Sequence, residues 1–225
     1  MRKQVWLARV SSEEKVILLG PKSPYRSVAE MQKAARPVLW AGSGKTDGNT
    51  DFSAILAYAI GMPSKMIVGY KGSADMNLAI QNGEVDGRVV SDESALLYGP
   101  SSGMRIIATL ARKRTEMLPD VPTVFEAAQI PAERARLIDW RAGIAGLGRL
   151  VLATPGTSPE RVELLRATLA EVIRDPAFVA EVKKLNLTAN YAGAGEVRAA
   201  VEKAMTTLDT AELAQIREIA LDRYY

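Results

Sequence analysis

Short apolar runs, separated by polar turns that contain glycine or proline, dominate the first half of the chain. The runs are four to six residues long, which is typical of buried β-strands and short for helices. They predict five strands, at Lys15–Leu19 and at residues 38–41, 65–68, 85–90 and 105–110.

The segments between these strands carry helix signals. Ser27 and Glu30 have the S-x-x-E spacing of a capping box and predict a helix to about Ala35. Further helices are predicted at residues 51–60, ended by Gly61, at residues 94–98, and from Ser73 or Asp75 to Asn82. Because strands and helices alternate, we expect a mainly parallel α/β sheet.

After Trp140 the pattern changes. Residues 150–153 predict one strand, and helices are predicted at residues 158–174, at residues 176–185 and from Glu196 onward. The last quarter is therefore helix-rich, and we expect it to pack on a sheet other than the first.

Composition excludes several classes of function. The 225 residues carry a net charge of +3, and the longest basic cluster, Arg112-Lys113-Arg114, is too short and too poor in aromatics for a nucleic-acid surface. The chain has no cysteine and no histidine, so thiolate chemistry, zinc–cysteine sites and a Ser–His–Asp triad are impossible. The sequence therefore predicts no catalytic residues, no metal site and no cofactor.

No apolar run approaches the roughly 18–20 residues of a membrane span. The apolar stretch near the N-terminus is also too short for a signal peptide. We expect the chain to be cytosolic, already processed, or part of something longer.

The run Gly42-Ser43-Gly44-Lys45-Thr46 spells the end of a phosphate-binding P-loop. The complete motif needs a further glycine where this chain has Leu39, so the loop is short for a phosphate cradle. A nucleotide-binding enzyme stays open as an alternative. More generally, a glycine-rich loop between a strand and a helix predicts an anion site.

Six motifs, in order, resemble those of the substrate-binding proteins of tripartite tricarboxylate transporters, the Bug family. The first is the small-residue loop at residues 39–46. The most distinctive is Arg114 followed by Leu118-Pro119-Asp120-Val121-Pro122-Thr123 and Glu126. The others are Val68-Gly69-Tyr70-Lys71-Gly72-Ser73, Gly83-Glu84-Val85-Asp86, Thr154-Pro155-Gly156-Thr157-Ser158-Pro159 and Asp175-Pro176-Ala177-Phe178.

The resemblance implies an α/β, type II periplasmic-binding-protein-like fold. Residues 15–143 would form one complete lobe, the second and ligand-binding one. Residues 1–14 and 144–225 would be the helix-rich remainder of the first lobe, with hinges near residues 12–16 and 140–148. The N-terminal third that builds the leading strands of the first lobe in this family has no counterpart here, so the resemblance implies a truncated or split member.

The resemblance also implies a ligand site. Backbone N–H groups around residues 43–46, with the hydroxyls of Ser43 and Thr46, would bind a carboxylate, and Lys45 or Lys71 would balance its charge. The segment 118–123 is expected to be a rigid turn instead, and Asp92 and Glu93 are expected to be solvated. The predicted ligand-binding residues are Gly42, Ser43, Gly44, Lys45, Thr46, Tyr70, Lys71, Gly72 and Ser73.

The favoured hypothesis is therefore a non-enzymatic solute-binding protein that takes a small carboxylate to membrane transporter subunits. An interaction or dimerisation module without ligand is the first alternative, and it would pair with a second copy or with a complementing N-terminal chain. The resemblance implies a periplasmic location, or a cytoplasmic one if the truncation is native.

Overall fold

The computed structural model describes residues 4–225, which form two compact units. The first unit holds residues 4–13 and Gly143–Thr207, and the second holds Glu14–Ala142 and Leu208–Tyr225. The strands are β1 Val5–Ser11, β2 Lys15–Leu19, β3 Val38–Gly42, β4 Ser64–Val68, β5 Gly87–Ser91, β6 Arg105–Thr109, β7 Arg149–Ala153 and β8 Ala192–Gly193. The helices are α1 Val28–Gln32, α2 Gly48–Ile60, α3 Ser73–Asn82, α4 Asp92–Tyr98, α5 Val124–Ala127, α6 Ala132–Ala145, α7 Pro159–Arg174, α8 Pro176–Lys184, α9 Ala194–Thr206 and α10 Thr210–Glu218.

A five-stranded sheet forms the centre of the second unit, in the order β4-β3-β5-β2-β6. Strand β3 pairs in parallel with β4 and β5, while β2 is antiparallel to both β5 and β6. Four strands therefore run in one direction, as expected for a mainly parallel sheet, but β2 runs against them, which was not predicted.

Apolar side chains cover both faces of this sheet. One cluster contains the fully buried Trp40, Phe52 and Ile17, and it packs under α2 and α6. The other contains Leu18 and Ile80 and packs under α3 and α4. Burial on both faces explains why the strands read as continuous apolar runs rather than as alternating ones.

Residues 208–225 belong to the second unit, which corrects their assignment to the first lobe. Ile216 and Ile219 are buried in the cluster under α2, and the backbone N–H of Met66 donates to the carbonyl of Tyr224 at 2.8 Å. This packing includes a single π-helical turn at Ile219–Arg223. The sequence pattern predicts a helix here, but it does not indicate which core the helix joins.

The first unit is built on a three-stranded antiparallel sheet in the order β7-β1-β8. Helices α7 and α9 pack on β1, with Val162, Ile173, Val197 and Val201 buried. Most of the exposed large apolar side chains of the described chain also lie in this unit, among them Leu164, Leu185 and Met205, each about two-thirds exposed.

Four elements were not predicted from the sequence: strands β1 and β8 and helices α5 and α6. In addition, α2 begins at Gly48 rather than at residue 51, and α1 ends at Gln32. The predicted capping box of α1 is only half formed. Ser27 accepts from the N–H of Glu30, but the Glu30 carboxylate accepts from the N–H of Arg26 instead of Ser27.

Candidate functional site

The two predicted ligand segments start from neighbouring positions at one edge of the sheet. Strands β3 and β4 run in parallel with Gly42 opposite Val68, so the β3–α2 loop (residues 43–47) and the β4–α3 loop (residues 69–72) both leave the sheet at its carboxyl edge. Crevices for ligands in open α/β sheets form at this edge. The fold thus places the starts of both segments together.

Gly42, the last residue of β3, is buried and has no room for a side chain. A Cβ at this position would collide with the Thr50 side chain in the first turn of α2. Gly44 differs, because nothing lies within 4 Å of the position its Cβ would take. Only the first of these two glycines is therefore required by packing.

An acidic residue caps the helix that follows the β3–α2 loop. Asp47 accepts a hydrogen bond from the N–H of Asn49 at 2.6 Å, and the Ser43 hydroxyl donates to the same carboxylate at 2.6 Å. The N-terminus of α2 thus already has a negative partner. Lys45 and Thr46 precede the helix instead of opening it, which weighs against a phosphate cradle. The sequence analysis missed this cap because it began the helix three residues too late.

Lys45 contacts the C-terminal segment of the chain. Its Nζ donates to the carbonyl of Leu221 at 2.6 Å and lies 4.3 Å from the centre of the Tyr225 ring. Thr46, next to it, is exposed. Lys45, one of the two lysines predicted to balance the charge of a ligand, therefore already has partners in the C-terminal segment.

The β4–α3 loop leads into a helix whose N-terminus lacks a side-chain cap. Gly72 is the N-cap residue and can offer no side-chain oxygen to α3. Tyr70 packs against the α3–α4 side of the core, where burial, and then the charge of Glu84, raise the pKa of its phenol. Lys71 is exposed, and its backbone N–H donates to Asp75 at 3.3 Å.

Arg88 is a candidate site residue that the sequence analysis missed. It lies in the middle of β5 with 1% of its surface exposed, and its Nη1 donates to the Ser73 hydroxyl at 3.3 Å. Its Nε and Nη2 are buried without a hydrogen-bond partner, and burial lowers the pKa of the guanidinium. The available signal was a charged residue inside an otherwise apolar strand.

Asp92 and Glu93, expected to be solvated, are buried at 3% and 4% exposure. They form the first turn of α4, where Asp92 accepts from the N–H of Glu93 at 2.9 Å. Burial, and then the charge of Asp92, raise the pKa of the nearby Glu14 carboxyl. The expectation was wrong because α4 follows β5 without a loop, and this keeps both side chains beside the sheet.

The most distinctive motif is a structural turn. Arg114 donates to Glu126 at 3.2 Å and to the carbonyl of Pro119 at 3.2 Å. Thr123 and Glu126 close a capping box at the start of α5, with the N–H of Thr123 only 2.6 Å from the Glu126 carboxylate. These bonds lower the pKa of Glu126, the backbone N–H of Thr123 most of all.

A separate groove of about 400 Å³ lies in the first unit. It is lined mainly by Trp6, Val201 and Met205, with Arg198 and Glu202 paired to each other at 2.9 Å. We give it less weight for an anionic ligand, because its cation is neutralised and its acid would repel a carboxylate. Across residues 4–225 there is no cluster of three metal-ligating side chains, and no helix is both long and apolar enough to span a bilayer.

Comparison with known proteins identifies the family. A family model described as the tripartite tricarboxylate transporter family receptor, TctC, matches residues 4–210. The chain belongs to this family. A relative from Pseudomonas sp. (strain P51), a UPF0065 protein from the tcbD–tcbE intergenic region, is 28% identical over 195 residues, which are 85% of this chain and 54% of that protein. The chain thus spans about half the length of this TctC relative.

Solved structures of binding proteins share the fold. R. palustris Rpa4515 with adipate superposes with a TM-score of 0.74 at 17% identity, covering 97% of this chain and 69% of that one. The periplasmic binding protein BugD superposes with a TM-score of 0.67 at 20% identity, covering 96% of this chain and 69% of BugD. MatC from Rhodopseudomonas palustris with bound malate superposes with a TM-score of 0.64 at 16% identity, covering 96% of this chain and 69% of MatC. The TctC family and this fold are those of solute-binding proteins, not of enzymes.

Proposed function

We propose that this TctC-family chain binds a small carboxylate and presents it to the membrane subunits of a tripartite transporter, without catalysing a reaction. The observation that carries the proposal is the pairing of Gly42 with Val68, from which both predicted ligand loops leave one carboxyl edge of the sheet. Relatives of this fold bind adipate and malate, which supports a carboxylate ligand. The family description supports the transporter partner, and the likeness to the periplasmic binding protein BugD supports a periplasmic location.

In this proposal the ligand lies against the β3–α2 and β4–α3 loops. Backbone N–H groups from Ser43 to Thr46 and from Tyr70 to Ser73 are the donors, and Gly42, Gly44 and Gly72 let the ligand approach the backbone. The Ser43 hydroxyl exchanges Asp47 for the ligand. Lys71 is the cation that balances the charge of the ligand, because the other candidate, Lys45, already contacts Leu221 and Tyr225.

A thermal-shift screen tests the proposal. The wild-type chain is heated with adipate, malate and other small mono- and dicarboxylates, and with ATP–magnesium as the rival ligand. A carboxylate at 100 times its dissociation constant adds about 2.7 kcal/mol of stability, which is easily detected. Replacing both Ser43 and Thr46 by alanine should weaken this shift, whereas Thr157→Ala, in an exposed turn of the first unit, should leave it unchanged.

Each outcome separates the hypotheses. A shift with a carboxylate that the Ser43/Thr46 double variant loses supports the proposal. A shift with ATP–magnesium alone, abolished by Lys45→Ala, would replace it with the nucleotide hypothesis. No shift with any acid, together with a dimeric mass by light scattering, would replace it with the interaction module.

A further inference from the structure

The buried guanidinium of Arg88 has no anionic partner in residues 4–225. A charge that is removed from water is normally compensated by an ion pair and hydrogen bonds. The chain follows this rule elsewhere, since the buried Arg141 pairs with Asp51 at 2.9 Å. Around Arg88 the structure gives only the Ser73 hydroxyl at 3.3 Å and the Met76 sulfur at 4.0 Å, both on Nη1. The charge of Asp47 acts on it only at a distance, without an ion pair or a hydrogen bond.

The two unpartnered atoms of Arg88 share one edge of the guanidinium. Nε–H and an Nη2–H point in the same direction, and this edge matches the two oxygens of a single carboxylate. The same chain shows the fit at Arg112, whose Nε and Nη2 donate to the two carboxylate oxygens of Asp139 at 2.7 and 2.6 Å. In Arg88 the same two atoms are buried and make no hydrogen bond to residues 4–225.

The surroundings of Arg88 also favour an anion. Its Nη1 partner, Ser73, is the first residue of α3, a ten-residue helix whose N-cap Gly72 makes no side-chain hydrogen bond. The N-terminus of such a helix carries partial positive charge and free N–H groups. An unpartnered buried cation and an uncapped helix end therefore lie side by side.

A ligand can reach the buried Arg88 only if neighbouring residues move. The adjoining β4–α3 loop has the glycines that such a movement needs. The β4–α3 loop is bounded by Gly69 and Gly72, and no atom lies within 4 Å of the place a Cβ would take at either residue. Gly69 also has φ of 111°, a conformation that glycine adopts without strain. A shift of this loop would carry the Ser73 hydroxyl away from Nη1 and open the α3 side of the guanidinium.

We propose that Arg88 and the first turn of α3 form the subsite that binds one carboxylate group of the ligand, with Nε and Nη2 donating to its two oxygens. This subsite rests on the proposed function and adds to it the residue that recognises the charge. It selects for acids over their amides, because an amide offers one acceptor oxygen instead of two and carries no charge to neutralise the guanidinium.

Arg88→Met and Arg88→Lys test the subsite, with Arg105→Met as the matched control. Arg105 also lies on the sheet with an unpartnered Nε, but its terminal nitrogens donate to the carbonyls of Pro21, Ser23 and Tyr25. Calorimetric titration measures affinity for adipate and malate, with adipamide as the uncharged probe. Thermal unfolding without ligand measures the cost of the unpaired charge.

Arg88→Met should weaken binding of the acid about 100-fold or more and raise the ligand-free Tm by about 2–4 °C, because it removes both the bidentate bond and the unpaired charge. Arg88→Lys keeps the charge without the two-donor edge, so its affinity should be intermediate. Arg105→Met should lower Tm and leave affinity unchanged.

An Arg88→Met variant that binds adipate or malate as tightly as wild type would overturn the subsite while the proposed function stands. A lower ligand-free Tm together with unchanged affinity would assign Arg88 to structure alone. If the wild-type chain itself binds none of the acids, the proposed function fails first and the subsite fails with it.

Discussion

At the scale of single residues, the structure explains why an aspartate ends the Gly83–Asp86 motif, which resembles a family signature. Asp86, which ends the Gly83–Asp86 turn, is 4% exposed. Its carboxylate accepts two hydrogen bonds from Arg36, both at 2.7 Å, and a third from the N–H of Leu39 at 2.9 Å. One side chain thus fixes the turn, the start of β3 and the segment before it.

We expect Asp86→Asn to destabilise the chain by about 2–3 kcal/mol, because an amide keeps the volume but loses the charge-assisted pair. The matched control is Asp139→Asn, which breaks a bidentate pair of the same geometry whose side chains are 56% and 40% exposed. The control should cost under about 1 kcal/mol. Urea denaturation measures the free energy of unfolding of both variants. Equal losses of stability would contradict the structural role given to Asp86.

At the scale of elements, the sequence predicted what local pattern determines. The apolar runs located β2 to β7, and the proline signals placed the starts of α7 and α8. Strand β1 was missed because its half-buried residues mix charge with apolar positions, and its partners β7 and β8 lie far along the chain. Arg88 was missed for a similar reason, since only tertiary packing shows that a charge in β5 is buried and unpartnered.

The N-terminus of α2 gives the second prediction at this scale. Asp47 caps the helix beside the proposed site, so its charge opposes an incoming carboxylate. Asn caps as well as Asp, so Asp47→Asn should change stability by under about 1 kcal/mol while binding of adipate or malate tightens about 3- to 10-fold. Asp209→Asn, which alters the equivalent cap of α10, is the control and should leave affinity unchanged. Weaker binding by the Asp47 variant would show instead that the carboxylate orders the loop for the ligand.

At the scale of the whole molecule, the C-terminal segment packs into the core of the second unit and contacts the β3–α2 loop. Leu208, Ile216 and Ile219 are buried there, while Leu221 and Tyr225 contact Lys45 of the β3–α2 loop. No local pattern links positions so far apart in sequence, so these contacts could not be predicted. Because of these contacts, we expect a change in the β3–α2 loop to affect the packing of the last residues, and a change in the last residues to affect the loop.

The Tyr225 phenol makes this coupling measurable as a loss of stability at alkaline pH. Burial, followed by the charges of Asp51 and Asp47, raises its pKa to about 12. Since an unfolded tyrosine titrates at about 10, the folded state holds the proton longer. The stability is therefore fully present below about pH 10 and falls as pH rises toward 12.

Burial also raises the pKa of Tyr224, so the neighbouring phenol acts in the same direction. Tyr225→Phe removes one titrating group, and at neutral pH it should cost only the hydrogen bond that the phenol donates to the carbonyl of Ala220 at 3.0 Å. The variant lacks the Tyr225 phenol, so its Tm should decrease less than that of wild type between about pH 8 and about pH 11. Lysine titration lowers the Tm of both proteins alike and therefore does not account for the difference. Parallel Tm curves for the two proteins would mean that the phenol titrates as freely in the folded state as in the unfolded one, and that the C-terminal segment does not shield it.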